Sequence, residues 1–117
     1  VRRNVLRNER SGEILAPRIG RASGALTRLV GLLRHASVAS NEGLWIDGCN
    51  AVHTLGMRAT LDLYFLDRDD RVLKIASAVA PNRLAEVCSA AKTVVELGSA
   101  SGARDVVLGD RLVLEER

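Results

Sequence analysis

The 117-residue chain carries one Trp, one Tyr and one Phe within a hydrophobic content of 47%, so it is sized for a single domain (residues 1–117) with an aliphatic core. With 26% charged residues, two Pro and two Cys, it is neither a disordered linker nor a disulfide-stapled scaffold. No apolar run approaches the ~20 residues of a membrane span. No charged-then-apolar leader opens the chain, which predicts a cytoplasmic protein, although a first residue of Val leaves open a leader already removed.

Residues 3–8 and 13–19 read as two short strands around Asn8-Glu9-Arg10-Ser11-Gly12, whose Asn, Ser and Gly supply turn chemistry. This opening section is basic: residues 1–34 hold eight Arg and two acids, while residues 35–117 hold nine bases and twelve acids. Such a balance suits phosphate contacts if the arginines share a face. Three aromatics, however, are a thin supply for stacking bases, so nucleic acid is the weaker reading and intramolecular pairing the plainer one.

Leu26, Leu29, Val30 and Leu33 have the spacing of one helix face, with Ser23 placed to cap the first turn. A strand over 43–46 ends at Asp47-Gly48, a turn signal, and 51–57 reads as extended. Strands over 61–67 and 71–80 form a second hairpin around Asp67-Arg68-Asp69-Asp70, with Asp70 expected in the left-handed conformation. Leu84, Val87, Cys88 and Ala91 repeat the helical spacing, with Asn82 as cap. A strand over 93–97, a short helical turn over 99–104 and a last strand over 111–115 complete the chain. The expected class is α+β: a mainly antiparallel rolled sheet, or a jelly-roll-like sandwich or barrel, with two or three short helices packed outside.

The densest polar stretch runs from Cys49 to Asp62. On an unbroken strand Cys49 and His53 share a face, and a thiol meeting an imidazole makes the activated nucleophile of Cys-dependent hydrolases. Four residues of extended chain span ~13 Å, so contact requires a bend, with Asn50 as its natural place. The plainer reading is a buried thiol and a hydrogen-bonded imidazole. Cys49, Cys88, His35 and His53 lack the paired spacing of a zinc site, and Asp67, Asp69 and Asp70 read as a solvated turn, so no metal or cofactor is expected. Arg58 and Asp62, four apart, suit either a ligand or each other.

The run His53-Thr54-Leu55-Gly56-Met57-Arg58 followed by Leu61-Asp62-Leu63-Tyr64-Phe65-Leu66-Asp67 resembles the signature of the family called domain of unknown function 192, in its shorter members. Arg28 with Gly31-Leu32-Leu33-Arg34 is similar to that family's helix, and Glu42-Gly43-Leu44 and Cys49 to its next strand and turn. Glu96-Leu97 and Gly109-Asp110 match its late strand and closing turn. Thr60 and Leu108 stand where the family commonly has Pro, and Asp70 where it has Gly. The resemblance implies a compact β-rich domain with outer helices and carries no assigned activity.

Together these readings predict a soluble, bacterial-type binding or accessory module for a small anionic ligand or a protein partner. Its expected pocket is built by Trp45, Cys49, His53, Thr54, Arg58 and Asp62, with Arg34 contributed by the helix. Arg58 would meet the anion, His53 and Thr54 would hydrogen-bond, and Trp45 would form an apolar wall. The alternatives are an enzyme using Cys49 and His53, and a nucleic-acid binder using the N-terminal arginines.

Overall fold

A computed structural model of the chain describes residues 4–23, 42–53, 60–82, 86–99 and 104–116. The strands are β1 (Asn4–Asn8), β2 (Ile14–Ser23), β3 (Glu42–Asp47), β4 (Ala51–Val52), β5 (Leu61–Leu66), β6 (Val72–Val79), β7 (Glu86–Val87), β8 (Thr93–Gly98) and β9 (Leu112–Glu116). Seven of these form one sheet in the order β6-β5-β8-β3-β2-β1-β9, and β4 pairs with β7. Neighbours are antiparallel except β2 and β3, which run parallel from Arg18↔Glu42 to Ser23↔Asp47.

The two outermost strands of the large sheet meet at one end. The Val72 amide donates to the Asp110 carbonyl (2.9 Å), the Gly109 amide to the Val72 carbonyl (2.8 Å) and the Leu112 amide to the Asp70 carbonyl (3.0 Å), beside a bridge between Arg71 and Arg111. The sheet therefore curls around an inner cluster fed by all seven strands, including Leu6, Ile19, Trp45, Tyr64, Leu97 and Leu112. A second cluster, with Ile46, Leu63, Phe65 and Val94, lies on the opposite face of the central strands. Burial on both faces explains why all six residues of β5 and of β8 are buried, where alternation would leave every second side chain in water.

The small β4–β7 sheet covers part of that outer cluster, to which Cys49 and Val52 belong. Lys74, lying 5.4 Å from the centre of the Phe65 ring, fastens it by donating to the Val87 carbonyl (2.9 Å) and Glu86 Oε2 (3.3 Å). In the β5–β6 turn, Asp67 Oδ1 accepts from the amides of Asp69 (2.8 Å) and Arg71 (3.0 Å), and Asp70 takes the expected left-handed conformation at φ 63°.

The mainly antiparallel, curled sheet agrees with the sequence reading, while the expected outer helices are not found among the described residues. The helix expected over 26–33 falls outside them, as do residues 100–103 of the expected helical turn. The helix expected over 84–91 is corrected: Glu86–Val87 is a strand, followed by a turn in which the Ala91 amide donates to the Cys88 carbonyl (2.9 Å). Val87 is 50% exposed, so its helical spacing with Ala91 did not mark one buried face. No helix among the described residues is long and apolar enough to cross a membrane.

The closing turn is tied down by a buried carboxylate. Asp110 accepts hydrogen bonds from Arg10 Nε (2.7 Å), the Val107 amide (2.9 Å) and Asn8 Nδ2 (2.9 Å). The Arg10 contact leads in holding the carboxyl down to about 2, against the opposing effect of burial, with Val107 and Asn8 adding to it. Protonating a carboxyl with a lowered folded pKa removes stability, so this contribution is complete above the unfolded carboxyl value of about 3.9 and is lost as pH falls through the folded one. Thermal unfolding should accordingly show Asp110→Asn less stable than the parent by about 1–3 kcal/mol at neutral pH, with the difference shrinking between about pH 4 and pH 2. A gap independent of pH would contradict that role. Gly43 faces Leu97 so closely that a Cβ would stand 2.0 Å from the Glu96 carbonyl oxygen and 2.5 Å from Leu97 Cδ2. Urea unfolding of Gly43→Ala should show a loss of about 3 kcal/mol or more. Gly20→Ala, where the nearest atom is a Leu44 methyl at 3.1 Å, should lose far less.

Candidate functional site

Asp62 is the acid within the otherwise uncharged strand β5, next to the chain's most distinctive motif. Its register opposite Leu97, and that of Tyr64 opposite Val95, place both on the face of the inner cluster. The register of β5 against β6 passes from Leu61↔Val79 to Leu63↔Ala76, so Ser77 and Ala78 together oppose Asp62 in a β-bulge. Ala78 has φ 52°, a conformation costly for a residue with a Cβ, and its amide donates to Asp62 Oδ1 at 2.8 Å.

The second carboxylate oxygen of Asp62 pairs with Arg104 Nη1, and Arg104 Nη2 donates to the Gly98 carbonyl at 2.7 Å. The two side chains are 9% and 7% exposed, making this a buried ion pair. Tyr64 completes the cluster. Burial raises its hydroxyl pKa above the ordinary phenol value, against the opposing charge and hydrogen bonding of Arg104. A charged pair, a phenol and a strained bulge thus converge where β5 enters the sheet.

Trp45 lies one row along the same face, in a cross-strand series with Arg21, Val95, Tyr64 and Ile75. It is 3% exposed, and its indole N–H donates to Asp47 Oδ1 at 3.1 Å. Burial acts to raise the Asp47 carboxyl, but Arg21, at 2.7 Å from Oδ2, and the indole together hold it below the usual carboxylate range. The Asp47-Gly48 turn expected from the sequence is present, with Gly48 at φ 67°.

Beyond that turn the chain crosses to the outer face. Cys49 belongs to the outer cluster, and its thiol donates to the Ala51 carbonyl at 3.2 Å. His53 follows β4 and is exposed. Of the expected pocket, then, Trp45 and Asp62 share the inner face, Cys49 lies on the outer one, and His53 is at the surface. Thr54, Arg58 and Arg34 lie outside the described residues. Among the described residues no group of three or more His, Cys, Asp or Glu is arranged to hold a metal.

Arg7, Arg10 and Arg21 of the basic opening section are engaged with Glu115, with Asp105 and Asp110, and with Asp47, respectively. Sequence reasoning missed Arg104, and with it the cluster around Asp62. The signal was there: an acid buried in a strand of Leu, Tyr and Phe requires a cation from somewhere in the chain.

The family described as DUF192, uncharacterized ACR, matches residues 6–114. A solved chain from Sinorhizobium meliloti 1021, described provisionally as a transcription regulator, is 22% identical. It superposes with a TM-score of 0.77 over 97% of this chain and 92% of that one. A protein of unknown function from Novosphingobium aromaticivorans DSM 12444 is 19% identical with a TM-score of 0.74, over 95% of this chain and 83% of that one. At these identities the likeness is one of fold. No curated protein matches the chain.

Arg104→Met removes the guanidinium from a buried carboxylate and should cost about 3–5 kcal/mol in urea unfolding, whereas Asp62→Leu combined with Arg104→Met should recover at least half of that loss. A single-variant loss below about 1 kcal/mol would mean that solvent screens the pair.

Proposed function

We propose that this chain, which belongs to the DUF192 family, is a non-enzymatic accessory module that binds a small anionic ligand through its His53–Arg58 segment. The observation that carries the reading is the buried Asp62–Arg104 pair beside Tyr64. Burying two charges brings little net stability, so a pair maintained by a strained bulge and a fixed carbonyl is better accounted for by the positioning it provides. That positioning acts at the start of β5, to which residues 53–60 lead directly from β4.

In this reading Arg58 supplies charge to the ligand, His53 and Thr54 supply hydrogen bonds, and Arg34 is a second cation from the segment between β2 and β3. Asp62 and Trp45 support the sheet from the inside, the one through Arg104 and the other through Asp47. Cys49 supports the β4 turn through its bond to Ala51. An anion is favoured because the motif carries Arg58 and no acid from His53 to Leu61, and the acid that follows, Asp62, pairs with Arg104. Two observations favour binding over hydrolysis: the Cys49 thiol is directed to a backbone carbonyl, and His53 is exposed. The pairing of Arg7, Arg10 and Arg21 with acids favours a small ligand over nucleic acid.

Thermal unfolding in a panel of phosphate, sulfate, acetate and citrate salts at matched ionic strength tests the reading. At ten times its Kd a bound anion contributes about 1.4 kcal/mol, roughly 5 °C for a domain of this size. At least one anion should produce a shift of that order in the parent, and Arg58→Gln should abolish it while leaving the unliganded Tm nearly unchanged. Equal responses of parent and variant to every anion would remove the proposal.

A further inference from the structure

The chain's two cysteines come from distant parts of the sequence and meet one apolar cluster on the outer face, Cys49 within it and Cys88 packed against it. The backbone brings them together. The Cys88 amide donates to the Asn50 carbonyl at 2.9 Å, continuing the register set by Ala51↔Val87, so residue 88 stands opposite residue 50. The Cys49 amide donates to the Lys92 carbonyl at 3.2 Å, closing the other side.

Extending the β4–β7 register by ideal strand geometry puts residue 49 on the diagonal from residue 88, for which the Cα separation would be about 6 Å, within the span of a disulfide. Strict alternation would send the two side chains to opposite faces. Gly48 at φ 67° and the Cys88–Ala91 turn interrupt the strands on either side, and both cysteines reach the same cluster. Their exposures differ: Cys49 is 9% exposed, while Cys88 is partly open to solvent.

We propose that Cys49 and Cys88 form a dithiol site that a small-molecule disulfide such as glutathione disulfide oxidises to an intrachain bond. The accessible Cys88 thiolate attacks one sulfur of the oxidant, forming a mixed disulfide and expelling one glutathione thiolate. Cys49 gives up its bond to the Ala51 carbonyl and, as thiolate, attacks the Cys88 sulfur, expelling the second glutathione. Two protein thiols are oxidised, one disulfide is reduced to two thiols, and the two protons pass through solvent to the released glutathione. The bond joins the turn after β3 to the segment after β7 and so staples the small sheet from which His53 emerges. This inference does not depend on the anion-binding reading.

The native protein, Cys49→Ser and Cys88→Ser are each incubated with excess glutathione disulfide, acid-quenched, and mapped as peptides by mass spectrometry without reduction. The native protein should give mainly a linked Cys49–Cys88 peptide pair, reversed by dithiothreitol. Cys49→Ser should stop at a glutathione adduct on Cys88, and Cys88→Ser should react at least about tenfold more slowly because its remaining thiol is buried. The oxidised protein should melt roughly 5–10 °C higher. If a hydroxyl in the cluster prevents Cys49→Ser from folding, Cys49→Ala gives the same reading. A glutathione adduct persisting on Cys88 of the native protein, a chain-to-chain disulfide, or reaction in urea alone would each overturn the proposal.

Discussion

Where β6 and β9 meet, three backbone hydrogen bonds join the first turn of one strand to the entry of the other, and the Asp110 carboxylate holds that entry against Asn8, Arg10 and Val107. Without this junction the seven strands would form an open ribbon, with Leu6, Leu66, Val72 and Leu112 facing water on one side. With it, those side chains meet across a curled interior. Beside the junction Asn8 and Arg10 also donate to the Asp105 carbonyl, next to Arg104, which pairs with Asp62 and donates to the Gly98 carbonyl.

The interior polar cluster is a compromise between two demands. Aliphatic packing would cover the β5–β8 face with less electrostatic cost, because an ion pair withdrawn from water recovers its desolvation penalty only through good geometry. Here each partner makes a second contact: the carboxylate takes an amide as well as a guanidinium, and the guanidinium takes a carbonyl as well as the carboxylate. The bulge at Ser77 and Ala78 is part of that arrangement, since an unbroken ladder would direct the Ala78 amide elsewhere. Trp45, in the same cross-strand row as Tyr64, adds apolar surface beside the cluster.

Much of the sheet was legible because hairpins are local. Turn residues at 8–12 and 67–70 and the intervening apolar runs located β1, β2, β5 and β6 to within a few residues. Pairing between distant strands was not legible. Nothing in the composition of β2 and β3 distinguishes a parallel from an antiparallel neighbour, and the two-residue strands β4 and β7 are too short for periodicity to register. The site suffered from the same limit. Cys49 and His53 differ by an even number of positions, which in an unbroken strand gives a common face, but Cys49 precedes β4 and packs in the outer cluster while His53 follows β4 at the surface. Asp62 was read only beside Arg58, its neighbour in sequence, and Arg104, which the fold brings to it from beyond β8, left no local signal. Topology, which short-range pattern does not encode, decided both.

The pairing of β1 with β9, from Asn4↔Glu116 to Asn8↔Leu112, joins segments more than a hundred residues apart in sequence. During synthesis β1 leaves the ribosome well before β9, so the ladder between them cannot form until translation has passed residue 116. Loop-closure entropy delays such distant contacts further. Between the emergence of β1 and that of β9, the nascent chain keeps one side of β1 unzipped and its future interior wetted. Its window for misassociation is set by elongation time rather than by the stability of the finished molecule.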